Sequence, residues 1–229
     1  MPSANRAVAR YLLQITIFVL LFAASLFFSA GTTAWAMGWV FIAIVSASQL
    51  SIALILIMRN PELMGERAET KGKRDLDRIL AGVMSLFGPI SMCIVAGLDF
   101  RFGWLPPIPV ALQMTGIVLA VLGSVLTAWA MASNKFFYGV LRIAQDKGHT
   151  VCASGPYRTV RHPGYLGAIL FDLATPLILG SAWAFIPAAL TVCAILVRTA
   201  REDKALQSGL GGYKEYAQQV RHRLLPAVW

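Results

Sequence analysis

The sequence predicts an all-α, polytopic membrane fold: four spanning helices, a fifth segment forming a helical hairpin, and a C-terminal part facing the cytoplasm. Three observations lead there. The chain is 57% apolar and 14% charged, against roughly 45–50% and about 25% in soluble domains. Four stretches with little or no charge reach the length of about 20 residues that a ~30 Å hydrocarbon core requires. Every Lys and Arg except Arg101 falls on one side once those stretches alternate direction. The net charge of +9 comes from few, scattered cations. Disorder and nucleic-acid binding are thereby set aside.

The first stretch, 11–30, follows Arg6 and Arg10 and superficially resembles a signal peptide. Its apolar run exceeds the ~7–15 residues usual for one, so it is expected to be a retained first helix. The second, third and fourth are 35–58, 79–98 and 109–131. Within each the backbone has to be helical, because lipid offers nothing to unpaired N–H and C=O groups. Gly116 and Gly123 on the fourth permit close helix packing, within the chain or between chains.

Segment 166–197 is harder to place. As one helix it would run ~48 Å at 1.5 Å per residue, and Pro176, Gly180 and Pro187 interrupt it. It is either one kinked, tilted span or two shorter helices joined near Gly180-Ser181. Cations prefer the cytoplasmic side. A single crossing would move Arg198, Arg201, Lys204, Lys214, Arg221 and Arg223 to the far side, whereas a hairpin keeps them with the rest. The hairpin is favoured, although limbs of about 15 residues are short for a full crossing. It returns Arg198 to the face that holds Arg161. Residues 1–131 then form the membrane helices, and 132–229 hold the polar motifs.

Cys93, Cys152 and Cys193 show no paired spacing, and no C-x-x-C occurs, so zinc and redox motifs are absent from the pattern. His149, His162 and His222 never stand i, i+4, and no metal site is expected. Neither a G-x-G-x-x-G after a strand nor a Walker motif is present.

Two polar segments remain. The loop 59–78 opens with Asn60-Pro61, a good N-cap and N1 pair, and its charges alternate in sign. It reads as a solvated connection, with headgroup contact as the alternative. Segment 132–165 runs out of the fourth helix through Asn134 and Lys135 into Phe136, Phe137 and Tyr138. Aromatic residues at that depth read as interface anchors. Residues 154–158 are a turn by composition, and Pro163 biases His162 away from helix. Such irregular backbone at a membrane surface persists where protein packs it or where it lines a cavity.

The string Gly155, Pro156, Tyr157, Arg158, Arg161, His162, Pro163, Tyr165, Gly167 resembles the G-P-Y-R-x-x-R-H-P-x-Y-x-G signature of the isoprenylcysteine carboxyl methyltransferase family. Near the C-terminus Arg198, Glu202, Asp203 and Leu206 are similar to its R-x-x-x-E-E-x-x-L element, with Asp203 in place of a second Glu. Tyr213, Tyr216, Val220, Arg223, Leu224 and Pro226 match the tyrosine-containing tail. The resemblance covers roughly 130–229. It implies S-adenosylmethionine as methyl donor on the cytoplasmic side and a lipophilic, prenylcysteine-like or lipid acceptor entering from the bilayer. The charge bias makes it a multi-pass protein with both termini and the site cytoplasmic, and the Ala-rich, compact chain reads as one of a bacterial inner membrane.

The residues suit that chemistry. A sulfonium favours aromatic faces and carboxylates, of which Tyr157, Tyr165, Glu202 and Asp203 are candidates. The donor's own carboxylate calls for Arg, from Arg158 or Arg161. His162, Pro163, Gly164 and Tyr165 would form one wall for adenine, with Gly155 in the turn before it and His149 as a further contact. A carboxylate acceptor is already ionised and needs orientation more than a base. Arg198 is assigned that role, with Glu202 one turn away on the same helix face. Arg201 and Lys204 read as snorkelling cations. An amine acceptor would instead require His162 or Glu202 as base, so O-, N- and S-methylation stay open. Two other readings compete. One is an NADPH-dependent isoprenoid or sterol-type reductase, whose similar segment favours H-P-N-Y where this chain has Gly164. The other is a non-catalytic membrane protein.

Overall fold

The computed structural model describes residues 2–59, 75–137, 143, 148–226 and 229. The loop 60–74, including Asn60-Pro61, lies outside them. So do Tyr138 and most of the connection that follows it.

Among the described residues all regular structure is helical. Helix α1 is Pro2–Ala30 and α2 is Ala36–Arg59. Helix α3 comprises Asp75–Gly82, a π-helical turn Val83–Phe87, and Gly88–Phe102. Helix α4 is Val110–Ser133. Four helices are long and apolar enough to cross a membrane, over Val8–Ala30, Ala36–Arg59, Leu76–Phe102 and Val110–Ser133. The first and third contain the corresponding sequence stretches, and the second and fourth begin one residue after theirs and end one or two residues beyond them. Their core is a dry contact of Phe22, Leu26, Phe41, Val45, Cys93 and Ala96 with Ala120, Ala174 and Ile178.

The π-turn follows from Pro89. A proline has no N–H and crowds the carbonyl one turn back. A widened turn in front of it relieves that conflict, and the Gly88 N–H reaches back five residues to the Val83 carbonyl.

Segment 166–197 resolves into a hairpin. Helix α5 is Pro163–Ile178 and α6 is Phe185–Gly209. Gly180 makes the turn at φ +70°, a conformation costly for any residue with a Cβ. The sequence pattern suggested limbs too short to cross. The tip nevertheless reaches the far ends of the spanning helices. The Ile108 N–H donates to the Gly180 carbonyl at 3.1 Å, and the Ser181 hydroxyl donates to Asp99 at 2.6 Å. The 16 residues of α5 give ~24 Å of rise, and the tight turn and loop contacts make up the remaining depth.

The most extensive helix pairing is α4 with α5. It is built on small residues, and Gly116 and Gly123 act within the chain here. A Cβ on Gly123 would lie 2.5 Å from the Gly167 carbonyl oxygen, and one on Gly116 would lie 2.7 Å from the Leu177 Cβ. Backbones this close gain dispersion contact that larger residues would prevent. Gly123→Leu should therefore lower the thermal midpoint in detergent by the equivalent of about 1–3 kcal/mol of overpacking. A midpoint equal to wild type would show that the helices can separate without cost.

Beyond the apolar limb, α6 continues as a polar helix. A turn at Gly212 leads into α7, Tyr213–Gln219. The chain then doubles back so that the Arg161 and His162 N–H groups donate to the carbonyls of His222 and Arg223 at 3.0 and 2.9 Å.

Candidate active site

Where α4 ends, the Asn134 side chain accepts from the Phe136 N–H at 2.9 Å, which closes a turn and directs the chain across the end of the bundle. A 3-10 turn, Gly155–Arg158, follows. Its Gly155 has φ +58° and sits against Ser133 and the Trp129 indole. Tyr157 is thereby buried, and its carbonyl accepts from the Tyr216 hydroxyl at 2.7 Å. Pro163 opens α5 at its first position, where a missing N–H costs nothing. Tyr165 consequently stands in the first turn of the helix, facing α6.

Two polar constellations meet here. The first centres on Asp203, which has no solvent exposure. Arg161 grips its carboxylate with two N–H groups at 2.8 and 3.1 Å. Arg223 donates at 2.9 Å, Gln207 at 2.8 Å and the Tyr213 hydroxyl at 3.1 Å. The His162 Nε2 lies 3.3 Å away. Burial alone would raise the Asp203 pKa, but the bonds from His162, Arg161 and Arg223 hold it well below the ordinary carboxylate range. Arg161 also donates to the carbonyls of Val220 and Arg221 at 2.8 and 2.9 Å. This constellation fastens the C-terminal tail to the start of α5. Tyr213 beside it is pushed up by burial and then by Asp203, so it remains a donor at neutral pH.

The second constellation is a chain of three groups. The Arg198 Nε donates to the Tyr165 hydroxyl at 2.7 Å, and that hydroxyl donates to the Glu202 carboxylate at 2.7 Å. Arg198 is 6% exposed, and its guanidinium lies 6.0 Å from the Tyr165 ring centre. A buried arginine is affordable only when its charge is partnered, and here one phenol connects it to a carboxylate.

Both constellations border a cavity of about 380 Å³. His149, Tyr157, Arg161, His162, Tyr165, Arg198 and Glu202 line it. Gly155, Arg158, Pro163 and Asp203 do not, although the sequence places them with the others. Arg158 is exposed, and Pro163 and Asp203 are packed behind the wall. The sequence reading also differs at four further residues. Phe136 and Phe137 are cavity walls rather than interface anchors: Phe136 stacks on the His149 ring at 4.4 Å, and Phe137 occupies the space a Gly164 side chain would fill. Arg201 pairs with Asp77 of α3 at 3.2 Å rather than simply reaching for solvent. Lys204 is exposed. Cys152 lines the cavity, which no spacing pattern signalled. Burial lowers the His149 pKa and the Glu202 charge opposes that less strongly, so the imidazole on this wall is neutral at pH 7. Among the described residues no three of His, Cys, Asp and Glu are grouped to hold a metal.

Residues 115–208 match the model of the isoprenylcysteine carboxyl methyltransferase (ICMT) family. The matched region spans most of α4, the motif, α5 and nearly all of α6, and it includes Arg161, Tyr165, Arg198, Glu202 and Asp203. Tyr213, Tyr216 and Arg223 follow it. A rice protein (Oryza sativa subsp. indica) named probable protein-S-isoprenylcysteine O-methyltransferase is 30% identical over 116 residues, 49% of this chain and 60% of that protein. The cobalt-zinc-cadmium resistance protein CzcN of Cupriavidus metallidurans is 31% identical over 126 residues, 51% of this chain and 49% of its own. A human protein-S-isoprenylcysteine O-methyltransferase is 31% identical over 112 residues, 48% and 39% respectively. The chain therefore spans between 39% and 60% of the length of these relatives.

Proposed function

We propose that this chain is an integral-membrane methyltransferase that uses S-adenosylmethionine to methylate a lipophilic acceptor, a prenylcysteine-like carboxylate being the best fit. The observation that carries it is the linked Arg198–Tyr165–Glu202 chain on the cavity wall inside the ICMT-family region. The cavity suits the donor in size and lining. Its volume falls within the ~300–1,000 Å³ typical of small-molecule sites. Its walls offer rings for a flat base, a neutral His149, and Glu202 as a negative group for a cation. The apolar and aromatic surfaces of Phe136, His149, Val151 and Tyr157 would hold the nucleoside. Glu202 and the Tyr165 ring would face the sulfonium.

When bound, the donor supplies an activated methyl group. The chain's own residues contribute position and charge. Arg198 would orient the acceptor carboxylate through its guanidinium charge, and Tyr165 fixes the guanidinium so that little reorganisation is needed. No proton has to leave a carboxylate acceptor, so no general base is assigned. Arg161, already committed to Asp203 and two tail carbonyls, shapes the wall. The region 132–229 acts as the catalytic part. The bias of Lys and Arg toward this end supports a cytoplasmic site with both termini on the same side.

Purified protein in detergent should be stabilised against heat by S-adenosylhomocysteine and not by NADPH, because a ligand raises stability only through the state that binds it. Stabilisation by NADPH alone would establish the reductase reading instead.

A further inference from the structure

A second cavity of about 310 Å³ lies deeper in the bundle, among α1 to α6. Phe18, Phe22, Phe41 and Phe171 give it apolar walls. It adjoins the first at Met84 and Ser85, which line both, and these residues sit on the π-turn that Pro89 imposes on α3. π-turns of this kind recur at functional sites. The deeper cavity is not purely apolar. Asp172 of α5 lines it and is 7% exposed, and no described residue donates a hydrogen bond to its carboxyl. Ser124 of α4 lines it as well, and its hydroxyl is buried without a partner.

Two orphaned polar groups in one membrane-embedded cavity call for an explanation. An ionisable side chain at such depth is expensive and marks function by default, and an unmet buried hydroxyl is costly as well. We infer that the deeper cavity binds an amphiphile whose chain carries an N–H or O–H donor, received by Asp172 and Ser124, rather than a bare hydrocarbon tail. A carboxyl accepts hydrogen bonds in either protonation state, so a donor on the ligand is met whichever form Asp172 takes. Asp172 stands seven residues beyond Tyr165 on α5, about 10 Å along the axis. The donor group of this ligand therefore lies about 10 Å along α5 from Tyr165, and the chemistry of the deeper cavity does not rest on the methyltransferase reading.

The test uses the full chain in detergent without methyl donor, with decanol, decylamine and decane as probes at matched micellar mole fraction. Thermal stabilisation by decanol and decylamine should appear at concentrations about tenfold below decane, the effect of one hydrogen bond to a charged or polar buried group. Asp172→Leu should bring all three probes to the level of decane, and Ser124→Ala should weaken decanol severalfold. Asp172→Asn should retain the decanol preference and lose that for decylamine. Equal concentrations for the three probes in wild type would overturn the inference, leaving the two groups to water. An unchanged ratio in Asp172→Leu and Ser124→Ala would overturn it equally. S-adenosylhomocysteine stabilisation, measured on the same preparations, reports on the methyltransferase reading separately.

Discussion

Replacing Asp203 with alanine should release the C-terminal tail and destabilise the end of the bundle on which it packs by about 3–5 kcal/mol, the usual cost of stranding a buried charge. The carboxylate is fully buried, and its loss leaves Arg161 and Arg223 close together without their shared counter-ion. Arg161 would keep only the tail carbonyls of Val220 and Arg221, and those are held in place partly by Asp203 itself. The expected readout is a lower thermal midpoint together with faster proteolysis of residues beyond 212, and Asp203→Asn should lie between alanine and wild type. The acid dependence follows in sign. Because the folded-state value is held below the ordinary 3.8, this contribution is complete at neutral pH. It is lost only as pH falls below about 4 toward the folded-state value. A variant with wild-type stability and tail protection would remove Asp203 from its place at the centre of the fold.

Arg198→Ala should leave the bundle folded and lower methyl transfer by about 10²–10³-fold, the scale of losing one preorganised charged donor. Arg198→Lys should recover little, since a lysine ammonium cannot reach Tyr165 and an acceptor in the same planar geometry. Glu202→Gln separates the roles further. Its amide oxygen can still accept from Tyr165, so local structure is kept, but the negative charge is gone. Affinity for S-adenosylmethionine, a cation, should then fall more than affinity for S-adenosylhomocysteine, whose sulfur is neutral. Turnover, thermal midpoint and the two affinities are measured on one preparation. Equal losses for both nucleosides would place Glu202 away from the sulfur, and undiminished turnover in Arg198→Ala would remove Arg198 from the acceptor's path.

Much of this was legible in the sequence because membrane physics leaves few options. Uncharged runs of sufficient length have to be helices, and the bias of Lys and Arg required the tail to return to the side on which the chain starts. That was enough to return Arg198 to the face that holds Arg161 before any coordinates. The roles of neighbours were harder. Glu202 and Asp203 are adjacent, and consecutive residues on an α-helix point about 100° apart. If one faces the cavity, the other faces elsewhere. What Asp203 meets there depends on where residues 220–223 travel, and no local pattern encodes that path. Phe136 and Phe137 were misleading for the opposite reason. Rings at the end of a spanning helix are usually at the interface, and only the tight space at Gly164 shows that these turn inward. The π-turn was foreshadowed by Pro89, but a proline in an apolar run permits a kink, a break or a widened turn alike.

The glycine contacts between α4 and α5 also govern traffic. With Gly123 and Gly167 touching through their main chains, no hydrocarbon chain can slide between those two helices. A molecule leaving the bilayer for the inner chamber has to use another side of the bundle. The seam is thus a closed wall, and a lipophilic acceptor of the proposed kind would have to enter where the helices meet through larger side chains.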